Sequence, residues 1–321
     1  MHVPGFKPGW GAVMTGPDAC RLLLLAAIWG ASFVWMRVAV PEFGPWALTA
    51  IRAAGGALVL VPLVGWQPIR RALSVHPLAL LAVGVFGIAL PYASLSFASQ
   101  QVPAAVTSLI NATTPIFAAL VGMFWLGQAT SRGRWLGFLV AFFGVALVVT
   151  SKGGVSDASA LDPWRLAACV IAAASYGMAA NLMRRYLSET NPVVVAACTQ
   201  MVASFLLLAP AGSTWPGVSP GTSAWFAAVM LAVLCTGFAN AIYFRLVQRA
   251  GASSATSVTF LIPAFAATWA HVFLGESITV ELALGGALIL GGCALATGLL
   301  KMRPVLGLIH RRLRERQDTG V

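Results

Sequence analysis

Two stretches that lie 147 residues apart decide the fold of this protein: AAIWGASFVWMRVAVPEFGP at 26–45 and AASYGMAANLMRRYLSETNP at 173–192. Seven residues are identical in register between them. Alanine matches are common in so apolar a chain, but aligned glycine, arginine and proline residues are not. The three informative pairs are Gly30/Gly177, Arg37/Arg184 and Pro45/Pro192. The chain is therefore predicted to contain an internal repeat.

The repeat continues after one inserted residue, at a spacing of 148. The segment PIFAA at 115–119 aligns with PAFAA at 263–267, and LGQ at 126–128 aligns with LGE at 274–276. Two further glycines in each copy also align. These are Gly137 with Gly285 and Gly144 with Gly292. Glycines seven residues apart leave a bare strip on a helix, which predicts close helix packing in the fifth and tenth spans.

The composition excludes a water-soluble globule. The 321 residues are 59% hydrophobic and 9% charged, whereas soluble domains carry about 25% charged residues. Apolar stretches long enough to cross about 30 Å of hydrocarbon recur along the chain. We predict ten transmembrane helices, near 19–39, 44–66, 78–99, 104–127, 134–150, 163–183, 193–211, 223–244, 253–274 and 279–300. The first span is preceded by Arg21, as in a secretory signal, but its repeat partner favours a true span.

The net charge of +11 follows the predicted topology. Sixteen of the twenty Lys and Arg residues fall in alternate loops or at the termini, three fall on the opposite side, and Arg52 lies within a span. Cytoplasmic loops carry the excess of Lys and Arg. Both termini are therefore predicted to be cytoplasmic, with the 152–162 loop outside. The charge pattern indicates a lipid bilayer rather than nucleic acid as the partner.

Each repeat contains five predicted spans, which is an odd number. The second copy must then enter the membrane from the opposite face, as in alternating-access transporters. We expect a first five-helix repeat at 19–150, a second at 163–300 and a basic cytoplasmic tail at 301–321. A membrane receptor or scaffold has no evident need for inverted halves, although it stays an alternative.

The motif Trp29-Gly30-Ala31-Ser32-Phe33, Ala50-Ile51-Arg52 and the paired PxFAA segments carry a family resemblance. The chain resembles the EamA-type branch of the drug/metabolite transporter superfamily over about residues 19–300, and more narrowly the aromatic amino acid exporters. The second copy departs from the motif, with Ser175-Tyr176-Gly177. The resemblance implies ten helices around a central cavity, and export of an amino acid or another small metabolite across a bacterial cytoplasmic (inner) membrane.

The best candidates for substrate binding surround two equivalent prolines, Pro115 and Pro263. Each is predicted near the middle of its span, where a proline removes one N–H and loosens the carbonyl four residues earlier. Those carbonyls belong to Asn111 and Thr259, and Thr114 is nearby. Broken helices near the midplane form the sites of inverted-repeat carriers. A proline kink satisfied by neighbouring helices is the alternative.

Four further polar or aromatic residues within spans are candidates for the cavity wall: Trp29, Tyr92, Tyr176 and Asn240. Hydrogen bonds between helices use the same residue types. Arg52 is the one cation inside a span. It is expected to fix helices as a hydrogen-bonding hub, with attraction of a substrate carboxylate as the alternative. His271 is expected to make a local hydrogen bond.

Other classes of function are disfavoured. No lysine follows a glycine, which excludes a P-loop and an ATP-driven pump. An intramembrane enzyme stays an alternative, but no Asp lies inside a predicted span, and we expect no metal, cofactor or catalytic residue. Carboxylates lie outside the centres of the spans, which favours gradient-driven flux. The substrate, the transport direction, the energy coupling and the choice between monomer and homo-oligomer are left open by the sequence.

Overall fold

The computed structural model describes residues 16–127, 131–150, 162–250 and 255–297. Within these ranges every regular element is a helix and none is a strand, which confirms the all-α class. The α-helices are α1 Gly16–Val64, α2 Trp66–Val75, α3 Pro77–Gly84, α4 Leu90–Ala98, α5 Ala104–Asn111, α6 Thr114–Leu126, α7 Arg132–Thr150, α8 Pro163–Tyr186, α9 Pro192–Ser213, α10 Thr222–Val229, α11 Ala239–Ala250, α12 Val258–Leu274 and α13 Val280–Thr297.

Helix α1 contains the first two predicted spans. It is 49 residues long, and its backbone is non-helical at Gly44, where φ is 70° and ψ is 168°. Glycine adopts a positive φ without the steric cost that a Cβ imposes. Pro45 follows directly and disfavours a helical conformation in the residue before it. The kink divides α1 into two segments, each about the length of a membrane crossing.

Eight helical segments in the described ranges are long and apolar enough to cross a membrane. The ninth predicted span corresponds to α12, an apolar helix that is shorter than these eight. The predicted tail at 301–321 and nearly all of the predicted outer loop at 152–162 lie outside the described residues.

The glycine strips lie where α7 crosses α13. A Cβ atom added to Gly137 would lie 2.5 Å from the Ala296 nitrogen and 2.6 Å from the Gly292 oxygen. One added to Gly144 would lie 2.8 Å from the Gly285 oxygen. The backbones of the two helices therefore touch, and side chains at these positions would force them apart.

Two positions that are equivalent in the repeat make matching contacts. A Cβ on Gly30 would lie 2.7 Å from the Phe265 Cβ, and one on Gly177 would lie 2.6 Å from the Ala118 nitrogen. Gly30 and Gly177 align in the repeat, and each packs against the PxFAA segment of the other copy. The two copies are interleaved rather than side by side.

Two π-helical segments occur at equivalent positions, Val85–Ala89 and Met230–Phe238. The first lies directly before Pro91 and the cavity-wall candidate Tyr92. A π-helix widens the turn and occurs frequently at functional sites. In the second segment the hydroxyl of Thr236 donates to the carbonyl of Leu231, at 2.9 Å. The hydropathy pattern of these spans carries no signal for either π-helix.

Candidate functional site

One cavity of about 650 Å³ lies within the helix bundle. Its walls are mostly apolar, with a few polar groups, and they come from both copies of the sequence repeat. Small-molecule sites are typically concave and apolar, with a few polar groups that orient the ligand, and have volumes of about 300–1,000 Å³. The cavity therefore has the size and composition of a site for a small organic molecule.

Nearly all the residues that the sequence singles out meet at this cavity. Those that line it are Trp29, Arg52, Tyr92, Asn111, Thr114, Pro115, Tyr176, Asn240 and Thr259. Pro263 is buried and is not part of the lining. His271 is also outside the lining, and its Nδ1 donates to the carbonyl of Glu276 at 2.9 Å.

Pro115 breaks its span, which continues as α5 and α6 around residues 112–113. The carbonyl of Asn111 accepts a 2.7 Å hydrogen bond from the Thr114 hydroxyl. The side-chain amide of Asn111 has no hydrogen-bond partner among the described residues, and its Oδ1 is buried. Asn111 therefore presents an unused amide in the cavity wall.

The equivalent proline, Pro263, has a different effect. Helix α12 continues through it without a break. The Thr259 hydroxyl donates to the carbonyl of Thr256 at 2.8 Å, within its own segment. The two prolines therefore do not form a symmetrical pair of broken helices. Beside Pro115, the hydroxyls of Thr113 and Thr114 donate to carbonyls three residues earlier.

Arg52 is buried at one side of the cavity, with 6% of its surface exposed. Its Nε donates to the Thr236 hydroxyl at 3.0 Å, and its Nη1 lies 3.6 Å from the Met36 sulfur. The guanidinium carbon lies 3.7 Å from the centre of the Tyr92 ring, in a cation–π contact. Through these contacts Arg52 connects α1 to α4 and to the π-helical segment Met230–Phe238, the arrangement expected of a hydrogen-bonding hub. They include no carboxylate.

Two of the predicted wall residues are committed to helix packing. The indole N–H of Trp29 donates to the carbonyl of Cys235 at 3.1 Å, and the Trp29 ring lies 5.4 Å from that of Tyr243. The Asn240 amide donates to the carbonyl of Thr236 at 2.6 Å. Both carbonyls belong to the π-helical segment Met230–Phe238. The two side chains thus satisfy backbone groups while their other faces line the cavity.

The cavity reaches the surface at one end of the helices. Ser188, an exposed residue between α8 and α9, is part of its lining. At the opposite end the Glu276 carboxylate accepts from the backbone N–H groups of Ala104 and Ala105, at 2.9 and 3.3 Å. The Arg37 Nε lies 3.8 Å from the same carboxylate. Glu276 thus caps α5, whose own N-cap, Pro103, provides no side-chain acceptor.

The family of this chain is evident from its sequence profile. The profile of the EamA-like transporter family matches residues 19–150 and again 163–298. The chain belongs to the EamA-like transporter family. It is therefore a transporter that spans a membrane many times, as the sequence motifs predict.

Relatives of this EamA-like transporter cover nearly its whole length. It is 24% identical over 300 residues to the "uncharacterized transporter YoaV" of Bacillus subtilis, covering 88% of this chain and 98% of that protein. It is 26% identical over 281 residues to the "probable terminal-alkyne amino-acid exporter" of Streptantibioticus cattleyicolor, covering 85% and 91%. A solved crystal structure matches its fold with a TM-score of 0.61 at 21% identity, covering 89% and 98%.

The polar residues of this EamA-like transporter site that are absent from the candidates taken from the sequence include Thr199, Gln200 and Thr236. Thr199 and Gln200 lie in the cavity lining, and Thr236 supports Arg52 from behind it. The Gln200 amide donates to the Tyr92 hydroxyl at 3.4 Å, whereas its Oε1 is buried without a partner. Gln200 lies within the apolar stretch 193–211, where a polar side chain is an exception, so the sequence itself indicated it as a candidate.

Proposed function

We propose that this EamA-like transporter exports a small organic metabolite, an amino acid, across the cytoplasmic membrane by alternating access. The observation that carries the proposal is the interior cavity, whose apolar wall contains the unused Asn111 amide and the Arg52 cation. Polar groups at such depth serve partners in neighbouring helices, water or a substrate. The name of the Streptantibioticus cattleyicolor relative supports the choice of an amino acid.

The proposed architecture has ten crossings in two inverted halves, 19–150 and 163–300. The matching contacts of Gly30 and Gly177 support it, because each glycine packs on the other copy's PxFAA segment. The kink at Gly44 supports counting α1 as two crossings. A receptor or scaffold would not require a cavity that opens at one end, and the family supports transport over catalysis.

The described conformation corresponds to a carrier that is open to one side. The cavity reaches exposed Ser188, in a loop whose Arg184 and Arg185 make it cytoplasmic by the positive-inside rule. The other end is held closed by Glu276 on the N-terminus of α5. Release to the outside would then require the Glu276 contacts to separate.

Filling the cavity tests the proposed function. Thr114→Trp places a large ring in the lining, whereas Thr268→Trp places the same ring on an exposed surface. Each threonine hydroxyl bonds a backbone carbonyl three or four residues earlier, so the two changes are matched. We expect Thr114→Trp to lower amino acid flux from proteoliposomes about tenfold or more, and Thr268→Trp to leave it near wild type. Wild-type flux in Thr114→Trp would show that substrate passes elsewhere.

The orientation of the protein in the membrane is tested by replacing each of two exposed valines with cysteine in a cysteine-free background. Val218 precedes α10, in a loop that is predicted to be outside, and Val75 ends α2, in a loop that is predicted to be cytoplasmic. We expect an impermeant thiol reagent added to intact cells to label Val218→Cys and to spare Val75→Cys until the cells are opened. The reverse pattern would contradict the proposed direction of the open cavity.

A further inference from the structure

We infer that Arg52 forms the subsite that binds the carboxylate of the substrate, and that the neighbouring Gln200 Oε1 accepts from the ammonium group of an amino acid. The inference rests on the proposed transport of a small metabolite and adds the group that recognises it. Arg52 then binds substrate in addition to holding helices together.

The Arg52 charge is not neutralised within the part of the chain that the structure describes. No described carboxylate forms an ion pair with Arg52; Asp18 pairs with Arg21, Glu42 accepts from Gly221, Asp162 caps α8 and Glu276 caps α5. A cation removed from water is costly unless an anion or several hydrogen bonds compensate it. An anionic ligand would provide that compensation.

The donors of Arg52 are also largely unused. A guanidinium has five N–H donors. One bonds the Thr236 hydroxyl, and a second meets the Met36 sulfur, which is a weak acceptor. The described residues provide no acceptor for the other three. Because Arg52 lines the cavity, a substrate carboxylate can take these N–H groups as a paired acceptor.

Gln200 provides a second, independent observation. It lines the cavity, is 1% exposed, and its Oε1, a hydrogen-bond acceptor, has no partner among the described residues. It is linked to Arg52 through Tyr92, whose hydroxyl accepts from the amide and whose ring lies under the guanidinium. A carbonyl oxygen left unsatisfied in the interior costs free energy unless a donor completes it, and the ammonium group of an amino acid is such a donor. Arg52, Tyr92 and Gln200 therefore form one cluster prepared for a polar ligand group.

The rest of the lining defines the substrate class. Among the described residues the lining contains no carboxylate and Arg52 contributes a positive charge, so the cavity favours anions and disfavours cations. Aromatic rings from Trp29, Tyr92 and Tyr176 and many aliphatic side chains form the remainder. The fitting molecule is a small carboxylate with an apolar body, such as an amino acid with an aliphatic or aromatic side chain. Organic cations are excluded from this class.

The test compares acids with their amides in proteoliposomes that contain the full chain. Labelled phenylalanine is the probe, with 3-phenylpropionate, phenylalaninamide and phenethylamine as competitors. We expect the wild type to bind phenylalanine and 3-phenylpropionate at least tenfold more tightly than the two compounds that lack a carboxylate. Arg52→Gln should weaken phenylalanine binding by roughly tenfold to a hundredfold and abolish the preference for acids. Arg52→Lys should retain part of that preference.

A packing role alone would lower the flux of every compound equally and leave the ratio of acid to amide unchanged. An unchanged ratio in a folded Arg52→Gln protein therefore overturns the inference. If Arg52→Gln does not fold, the competition experiment on the wild type tests the inference instead. Equal competition by phenylalanine and phenylalaninamide would also overturn the carboxylate subsite. Flux of amines without flux of carboxylates would contradict the carboxylate subsite while leaving transport intact. Failure of the wild type to move any of these compounds would contradict the proposed amino acid transport itself.

Discussion

Gly292→Ala is expected to lower the free energy of unfolding by about 1–3 kcal/mol, the usual cost of overpacking a tight contact. The new Cβ would lie 2.5 Å from the Ala141 nitrogen and 2.6 Å from the Gly137 oxygen. Both are backbone atoms, so no side chain can rotate away. Helices α7 and α13 would have to separate, and their shared contacts along Gly137, Gly144 and Gly285 would loosen together. The measurement is the unfolding temperature of the purified protein in detergent.

Gly291→Ala is the matched control, on the same helix and one residue away. A Cβ there meets no atom within 4 Å, and alanine favours a helix over glycine by about 1 kcal/mol. Its unfolding temperature should equal or exceed that of the wild type. Equal stability of Gly292→Ala and Gly291→Ala would mean that the α7–α13 crossing is not as close as described.

Asn111→Leu is expected to fold normally and to bind substrate roughly tenfold to a hundredfold more weakly. Its side-chain amide has no intramolecular hydrogen bond among the described residues, so leucine of similar volume removes nothing from the fold. A lost hydrogen bond to a desolvated substrate group costs about 1–3 kcal/mol, which gives that range of affinity. The measurement is proteoliposome flux against substrate concentration, normalised to folded protein.

Thr268→Val is the control for Asn111→Leu, because it also replaces a polar group in a helix but lies on an exposed surface. Cys293→Ala, in the predicted tenth span, is less suitable. The Cys293 thiol lies 3.3 Å from the carbonyl of Ala112, directly beside Asn111, so it is not remote from the candidate site. Wild-type affinity in Asn111→Leu would remove this amide from the binding site.

The candidate site was partly predictable because its residues are exceptions in an apolar sequence. Asn111, Tyr92, Tyr176 and Arg52 are polar or charged within spans, and all of them line the cavity. Gln200 was equally visible as an exception within its span. The sequence does not indicate which of these residues are available to bind substrate. That depends on whether a neighbouring residue already satisfies the hydrogen-bonding groups of each side chain.

Asn111 and Asn240 illustrate that difference. Both are asparagines in apolar spans, and both line the cavity. The Asn240 amide donates to the carbonyl of Thr236 in its own helix, whereas the Asn111 amide has no partner among the described residues. The π-helical segment Met230–Phe238 creates the first arrangement and the break at Pro115 creates the second. Neither is encoded in the periodicity of hydrophobic residues.

The sequence by itself determined the membrane-spanning all-helical class, the repeat and the transporter family, because hydropathy and repeated motifs are properties of the chain alone. Tertiary structure decided which helices touch and which polar groups remain free. The Glu276 carboxylate meets the N–H groups of Ala104 and Ala105, and Arg52 meets Thr236, across separations of 172, 171 and 184 residues. Apolar helix faces are chemically alike, so packing geometry rather than local pattern selects such partners.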